Sequence, residues 1–213
     1  MSLYTIVRDF QHEIVIEKSR FICTLKKTAT EEEAQDFIKD TKKKYWDATH
    51  NCSAYIIGES GMAQRSNDDG EPSGTAGLPM LEVLRKNNLH NVAAVVTRYF
   101  GGIKLGAGGL VRAYTNSVAS AIEEAGSAEI VLFGYFSFIQ DINSTGKVLN
   151  TLYQQDLFAV SDVEYGLEAK IILRMPMNLQ AEAEAWLTEA LNQKVELLKE
   201  KEEYVEEPLV SHQ

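Results

Sequence analysis

Val92-Ala-Ala-Val-Val-Thr-Arg-Tyr99 is an apolar run with one cation near its end, and a glycine-rich segment, Gly101-Gly-Ile-Lys-Leu-Gly-Ala-Gly-Gly109, follows it closely. The run is the composition of a strand buried on both faces. Beyond the glycines, Val111, Tyr114, Val118, Ala121 and Ile122 recur at helical spacing, so Leu110 to Ala125 is a helix closed by Gly126. This strand, loop and helix form one unit over about residues 92–125. Its loop is also the first candidate site, because free N–H groups and the helix dipole favour an anion at a helix N-terminus. Lys104 lies within the loop, with Arg98 before it and Arg112 after it. The named nucleotide motifs are absent. No Lys-Ser/Thr follows Gly106 or Gly109 as a P-loop requires, and Val111 stands where a dinucleotide fingerprint needs a small residue. The candidate anion-binding set is Arg98, Gly101, Gly102, Lys104, Gly106, Gly108, Gly109 and Arg112. The alternative is that the glycines only allow close helix–sheet packing.

Working outward, Glu13 to Cys23 reads as strand material broken near Lys18-Ser19. Thr30 and Glu33 form a capping box for a helix over 31–44, with acids in its first turn and lysines in its last. Ser53 to Gly58 is a short strand, and 78–87 a short helix with Pro79 in its first turn. Between them, 59–77 reads as a long polar loop. It holds Asp68, Asp69 and Glu71 around Gly70, then Ser73 and Thr75. Carboxylates and hydroxyls in that density suit a hard cation such as Mg²⁺, a general base, or, through the loop's amides, an anion. Ser73 and Thr75 therefore join the ligand-binding candidates, and Asp68, Asp69 and Glu71 are the catalytic ones. No histidine stands near them in sequence and no EF-hand register is present, so no metal site is assigned. The bland reading is a turn whose Asp and Ser side chains cap local backbone. His50-Asn-Cys52 supplies too few ligands for zinc, and a hydrogen-bonded His50 is expected.

After Val131 the pattern becomes β-α-β-β-α-β. Strands are expected at 133–139, 158–165, 167–175 and 194–205, with helices at 143–154 and from an Asn178 cap onward. That order is ferredoxin-like. The expected division is 1–132 and 133–213, with 206–213 as a frayed acidic tail.

The 213 residues are 45% hydrophobic and 24% charged, enough for packed cores without staples. Cys23 and Cys52 are far apart, with no metal or redox spacing, and read as reduced core thiols of a cytoplasmic protein. No secretory pattern opens the chain and no apolar stretch is long enough to span a membrane. Net charge is −10. Residues 1–135 carry 15 Lys/Arg against 17 Asp/Glu, and 136–213 carry 6 against 14. The acidic second half repels bare nucleic acid, so an RNA contact needs a local basic groove built from the first half.

The strings Asp68-Asp-Gly-Glu-Pro-Ser-Gly-Thr-Ala-Gly77 and Val95 to Tyr114, with Lys18-Ser-Arg-Phe-Ile22 and Ala48 to Tyr55, resemble the IMPACT/YigZ family. The likeness is close over about residues 1–130, and the remainder resembles the small C-terminal domain of bacterial members. The resemblance implies an α+β protein. Its first domain would have the ribosomal protein S5 domain 2-like fold, and its ferredoxin-like second domain would be similar to the C-terminal domain of elongation factor G. Eukaryotic relatives, which carry an additional RWD domain, regulate translation by binding the partner of a kinase that senses uncharged tRNA. The expectation is a non-catalytic binder of RNA, the ribosome or a translation factor, with a protein partner at the acidic second domain and no cofactor. The alternative is an enzyme acting on a phosphorylated small molecule or nucleotide through Asp68, Asp69 or Glu71.

Overall fold

The computed structural model describes residues 2–58 and 61–209. The chain is α+β and forms two compact units, Met1–Ile130 with Glu206–Gln213, and Val131–Val205.

In the first unit, β2 (Phe10–Ile16) and β3 (Ser19–Lys27) form a hairpin. Its turn residues Glu17 and Lys18 both have positive φ, at the break expected there. The capping box of α1 (Glu31–Lys44) forms as expected. Thr30 Oγ1 accepts from the Glu33 amide, and Glu33 reaches back one residue further, to the Ala29 amide. Then follow β4 (His50–Ile57), β5 (Ala63–Asn67), α2 (Gly77–Lys86), β6 (Val92–Tyr99) and α3 (Gly106–Ala125). The antiparallel sheet has the order β2-β3-β6-β4-β5. Alternation along its strands explains both layers. Cys52, Ala54 and Ile56 of β4 and Val92, Ala94 and Val96 of β6 face the core under α2 and α3. Tyr55, Ile57 and Ala93 face α1 with Ala34. A central strand covered on both sides needs the apolar run that β6 has. Each large aliphatic side chain so buried contributes about 1.5–3 kcal/mol.

Several boundaries differ from the sequence reading. The stretch 59–77 is not all loop: β5 pairs with β4, and Ser53 faces Asn67 while Tyr55 faces Arg65. Polar composition hid this edge strand, because only one of its flanks needs a partner. Helix α3 begins at Gly106 rather than Leu110, so Gly106, Gly108 and Gly109 form its first turn. An unexpected first strand, β1 (Leu3–Ile6), pairs with Ser127–Ile130 of β7 (Ser127–Gln140).

The second unit runs from β7 through α4 (Thr145–Leu152), β8 (Ala159–Tyr165), β9 (Ala169–Pro176) and α5 (Gln180–Leu191) to β10 (Leu198–Pro208). This is the ferredoxin-like element order. β9 lies between β7 and β8, and β10 pairs with β7. Phe136, Phe138, Ile171, Leu173 and Met175 meet Val148, Leu152, Ala183 and Leu187 of the helices. The polar residues alternating with them make a surface ladder, in which Ser137 donates to Glu200 and Lys170 pairs with the same carboxylate. Asn178 does not cap α5. It lies in a 3-10 turn, Met177–Leu179, ahead of that helix. The last strand is shifted from 194–205 to Leu198–Pro208, so Glu206–Pro208 are strand rather than frayed tail, and they cluster with the first unit. Residues 210–213 of the expected tail lie outside the described residues.

Gly101 shows how tightly the first unit closes. A Cβ there would lie 2.0 Å from the Lys18 carbonyl carbon, a backbone atom that cannot swing aside. Gly101→Ala should therefore lower stability by ~3 kcal/mol, at the upper end of ordinary overpacking. Chemical denaturation of the full chain measures this.

Candidate functional site

Strand register builds the site. Phe21, Arg98 and His50 lie in one row across β3, β6 and β4, because Arg98 faces Phe21 on one side and His50 on the other. Their row lies one pleat beyond Cys23, Val96 and Cys52, on the core face. The acidic segment 68–77 crosses this row. Glu71 descends onto it, and Arg98 Nη1 donates to Glu71 Oε1 at 2.6 Å. Tyr114 of α3 donates to the same oxygen at 2.9 Å. Side-chain exposure is 3% for Glu71 and 6% for Arg98, so the pair is a buried one. Arg98 also stacks between the Phe21 and Phe100 rings, 5.4 and 5.6 Å from their centroids.

Each acidic candidate has an internal partner. Asp68 Oδ1 accepts from the Ala76 and Gly77 amides and Oδ2 from the Gly74 amide, which closes the turn into α2. Burial alone would raise its pKa, but the Gly74, Gly77 and Ala76 N–H groups outweigh it and hold the carboxyl below the ordinary range. Asp69 accepts from Lys42 Nζ and from the Asn51 amide, both at 2.6 Å, and so ties α1 and β4 to the turn. Of the lysines in the last turn of α1, Lys42 is thus partnered across the fold. Thr75 is buried and donates to the Pro72 carbonyl, while Ser73 is exposed. The capping reading of this segment accounts for Asp68. It does not account for Glu71.

A histidine does stand beside the acids, contrary to the sequence reading. His50 Nδ1 lies 2.8 Å from the Asp69 carbonyl oxygen. That oxygen only accepts, so Nδ1 carries the proton, and Nε2 faces Glu71 Oε2 at 3.7 Å. The 20 positions between His50 and Glu71 conceal the contact in sequence, and the β4–β6 register exposes it. Cys52 Sγ lies 2.9 Å from the Asp68 carbonyl and 3.3 Å from the Tyr114 hydroxyl. Burial pushes its thiol up to about 12, and pushes Cys23 higher still, so neither is a thiolate at neutral pH.

Glu71, Arg98 and His50 lie at one cleft of about 400 Å³, whose other walls include Phe100, Lys104 and the α3 start at Gly106 and Ala107. The two sequence segments therefore meet. Arg98 is not a surface cation, as the sequence reading had it, because Glu71 neutralises it below the surface. Gly101 is not an anion donor either, since its amide donates to Ser19 Oγ at 3.1 Å. Lys104 and Arg112 are exposed, line a second depression with Gly109, and have no ion pair among the described residues. No side chain caps α3 at its N-terminus. Asp68, Asp69, Ser73 and Thr75 do not line the cleft. Among the described residues no three His, Cys, Asp or Glu side chains gather as a metal site would require. No described helix is long and apolar enough to cross a membrane.

This geometry belongs to a two-unit α+β protein with one buried Glu–Arg centre under a glycine-rich helix start. The Impact N-terminal domain model matches residues 17–122. The chain is 46% identical to IMPACT family member YvyE of Bacillus subtilis, over 96% of this chain and 94% of that one. It is 44% identical to IMPACT family member YigZ of Escherichia coli over 51% of this chain and 54% of that one. A crystal structure of a hypothetical protein is similar over 94% of this chain and 98% of its own, at 30% identity and a TM-score of 0.59. The chain belongs to the IMPACT family.

The Asp68 turn makes a pH prediction. A carboxyl whose folded pKa is depressed contributes stability above its unfolded value, near 3.8, and loses it as pH falls toward the folded value. Thermal melts of wild type and Asp68→Asn should differ most above that pH and converge in stronger acid.

Proposed function

We propose that this chain is a non-catalytic binding protein of the translation apparatus, contacting RNA, the ribosome or a translation factor through the surface that carries Lys104 and Arg112. One observation carries the reading. The cations Lys104 and Arg112, with no ion pair among the described residues, flank an uncapped helix N-terminus, while Asp68, Asp69 and Glu71 are engaged within the protein. The one carboxylate lining that depression, Glu17, is outnumbered by the two cations, so the surface favours phosphate. The translation setting comes from the family resemblance, and the cytoplasm is its natural compartment. Full-length protein and the Lys104→Glu/Arg112→Glu variant would be sedimented with ribosomes, and titrated with RNA, at graded salt. The variant should lose about tenfold in affinity, with a salt dependence shallower by about 1–2 in log–log slope. Unchanged, salt-sensitive binding overturns the proposal.

A specific contact favours a second reading, a small-molecule site with enzymatic use. His50 Nε2 and Glu71 Oε2 face one another at the cleft, a spacing that a donor group of a phosphorylated small molecule or nucleotide would bridge. Under this reading a nucleotide raises the melting temperature of wild type and not of His50→Asn, which keeps a donor near the Asp69 carbonyl and removes Nε2. No stabilisation by any nucleoside mono-, di- or triphosphate removes it.

A further inference from the structure

Trp46 is the least expected side chain on the first unit. It follows α1 directly and is 83% exposed, although burying it would be worth several times the free energy of burying an alanine. It stands at one end of a groove of about 680 Å³ between α1 and the β4–β5 edge of the sheet. One helical stripe of α1 forms a wall, with Lys39, Lys42 and Lys43 along it, and Arg65 of the edge strand β5 faces them. Arg65 lies opposite Tyr55, and Asn67 opposite Ser53, so the floor is one polar row of the sheet.

The groove is lined by four cations and no carboxylate, in a chain of net charge −10. Three acids outside it are engaged with its lining. Asp69 holds Lys42, Asp40 holds Lys43, and Glu31 accepts from the Tyr55 hydroxyl. Lys39 and Arg65 have no ion pair among the described residues. A carboxylate-free track ending on an open indole has the two components that hold a flexible polyanion with planar substituents: cations for the backbone, and a ring on which a base stacks.

We propose that this groove binds single-stranded RNA, with phosphates along Lys39 and Arg65 and a base stacked on Trp46. The choice of RNA rests on the translation reading above. The groove itself rests on charge and on Trp46, and shares no lining residue with the Lys104/Arg112 surface.

Trp46 supplies its own probe, since the only other tryptophan is Trp186. In full-length Trp186→Phe protein, titration with an oligouridylate of about ten nucleotides should quench the Trp46 emission in a salt-dependent way. Trp46→Ala, followed by fluorescence anisotropy of labelled RNA, should weaken binding about tenfold, and Lys39→Glu/Arg65→Glu at least as much. Both variants change exposed side chains, and melting temperatures within a few degrees of wild type would show that they fold. Lys104→Glu/Arg112→Glu run in parallel separates the two proposals. If it alone abolishes RNA binding, the groove is wrong and the helix-start surface stands. If only the groove variants lose binding, the groove stands and that surface falls. Quenching by polyglutamate as strong as by RNA overturns the proposal in favour of an acidic protein partner. Binding of RNA with Trp46 emission unchanged, or no binding at all, also overturns it.

Discussion

The carboxylate of Glu71 is where the first unit is tied together. It takes Arg98 from the central strand β6 and Tyr114 from α3, and it comes from a segment with no regular structure of its own. Burying two opposite charges costs several kcal/mol of desolvation each, which their attraction offsets only when the remaining hydrogen bonds are good. Hydrophobic residues of similar volume would serve stability as well. What the pair adds is position: the turn 68–77 lies across the sheet in one place because one carboxylate has one buried guanidinium to meet. Asp68 and Asp69 act in the same sense. They bind the backbone of the turn to α2, and the turn to α1 and β4.

This arrangement governs where charge is available. Asp68, Asp69 and Glu71, the acids of the cluster, each hold a partner within the protein. Arg98 is lost to the surface by the same pairing. Among the cations without an ion pair are Lys104 and Arg112 beside the start of α3, and Lys39 and Arg65 in the groove between α1 and β5. Two cations that share one depression raise its local positive potential even in a chain of net charge −10.

Much of the fold was legible along the chain. The run 92–99 showed a strand covered on both faces, and it is the middle strand of the sheet. Thr30 and Glu33 marked the start of α1, and the element order of the second unit could be read from its periodicity. Less legible were β5, whose polar residues carry no alternation, and β1, too short to be distinguished from an arm. The helix start at Gly106 was hidden because glycine signals turns at least as strongly as it signals a first turn.

Local sequence was enough to mark most helices and strands, because periodicity and capping act over a few neighbouring residues. It also determined that two segments, 68–77 and 98–112, carry the polar chemistry. Which of those groups meet is visible only in the folded chain. Antiparallel register set His50 and Phe21 on either side of Arg98, and the turn then brought Glu71 down onto the same row. Arg98, with no acid beside it in sequence, is thereby neutralised, while lysines and an arginine separated by more than twenty positions come to share a groove. Pairing across a sheet depends on register, and register depends on the burial of whole faces rather than on any local run of residues.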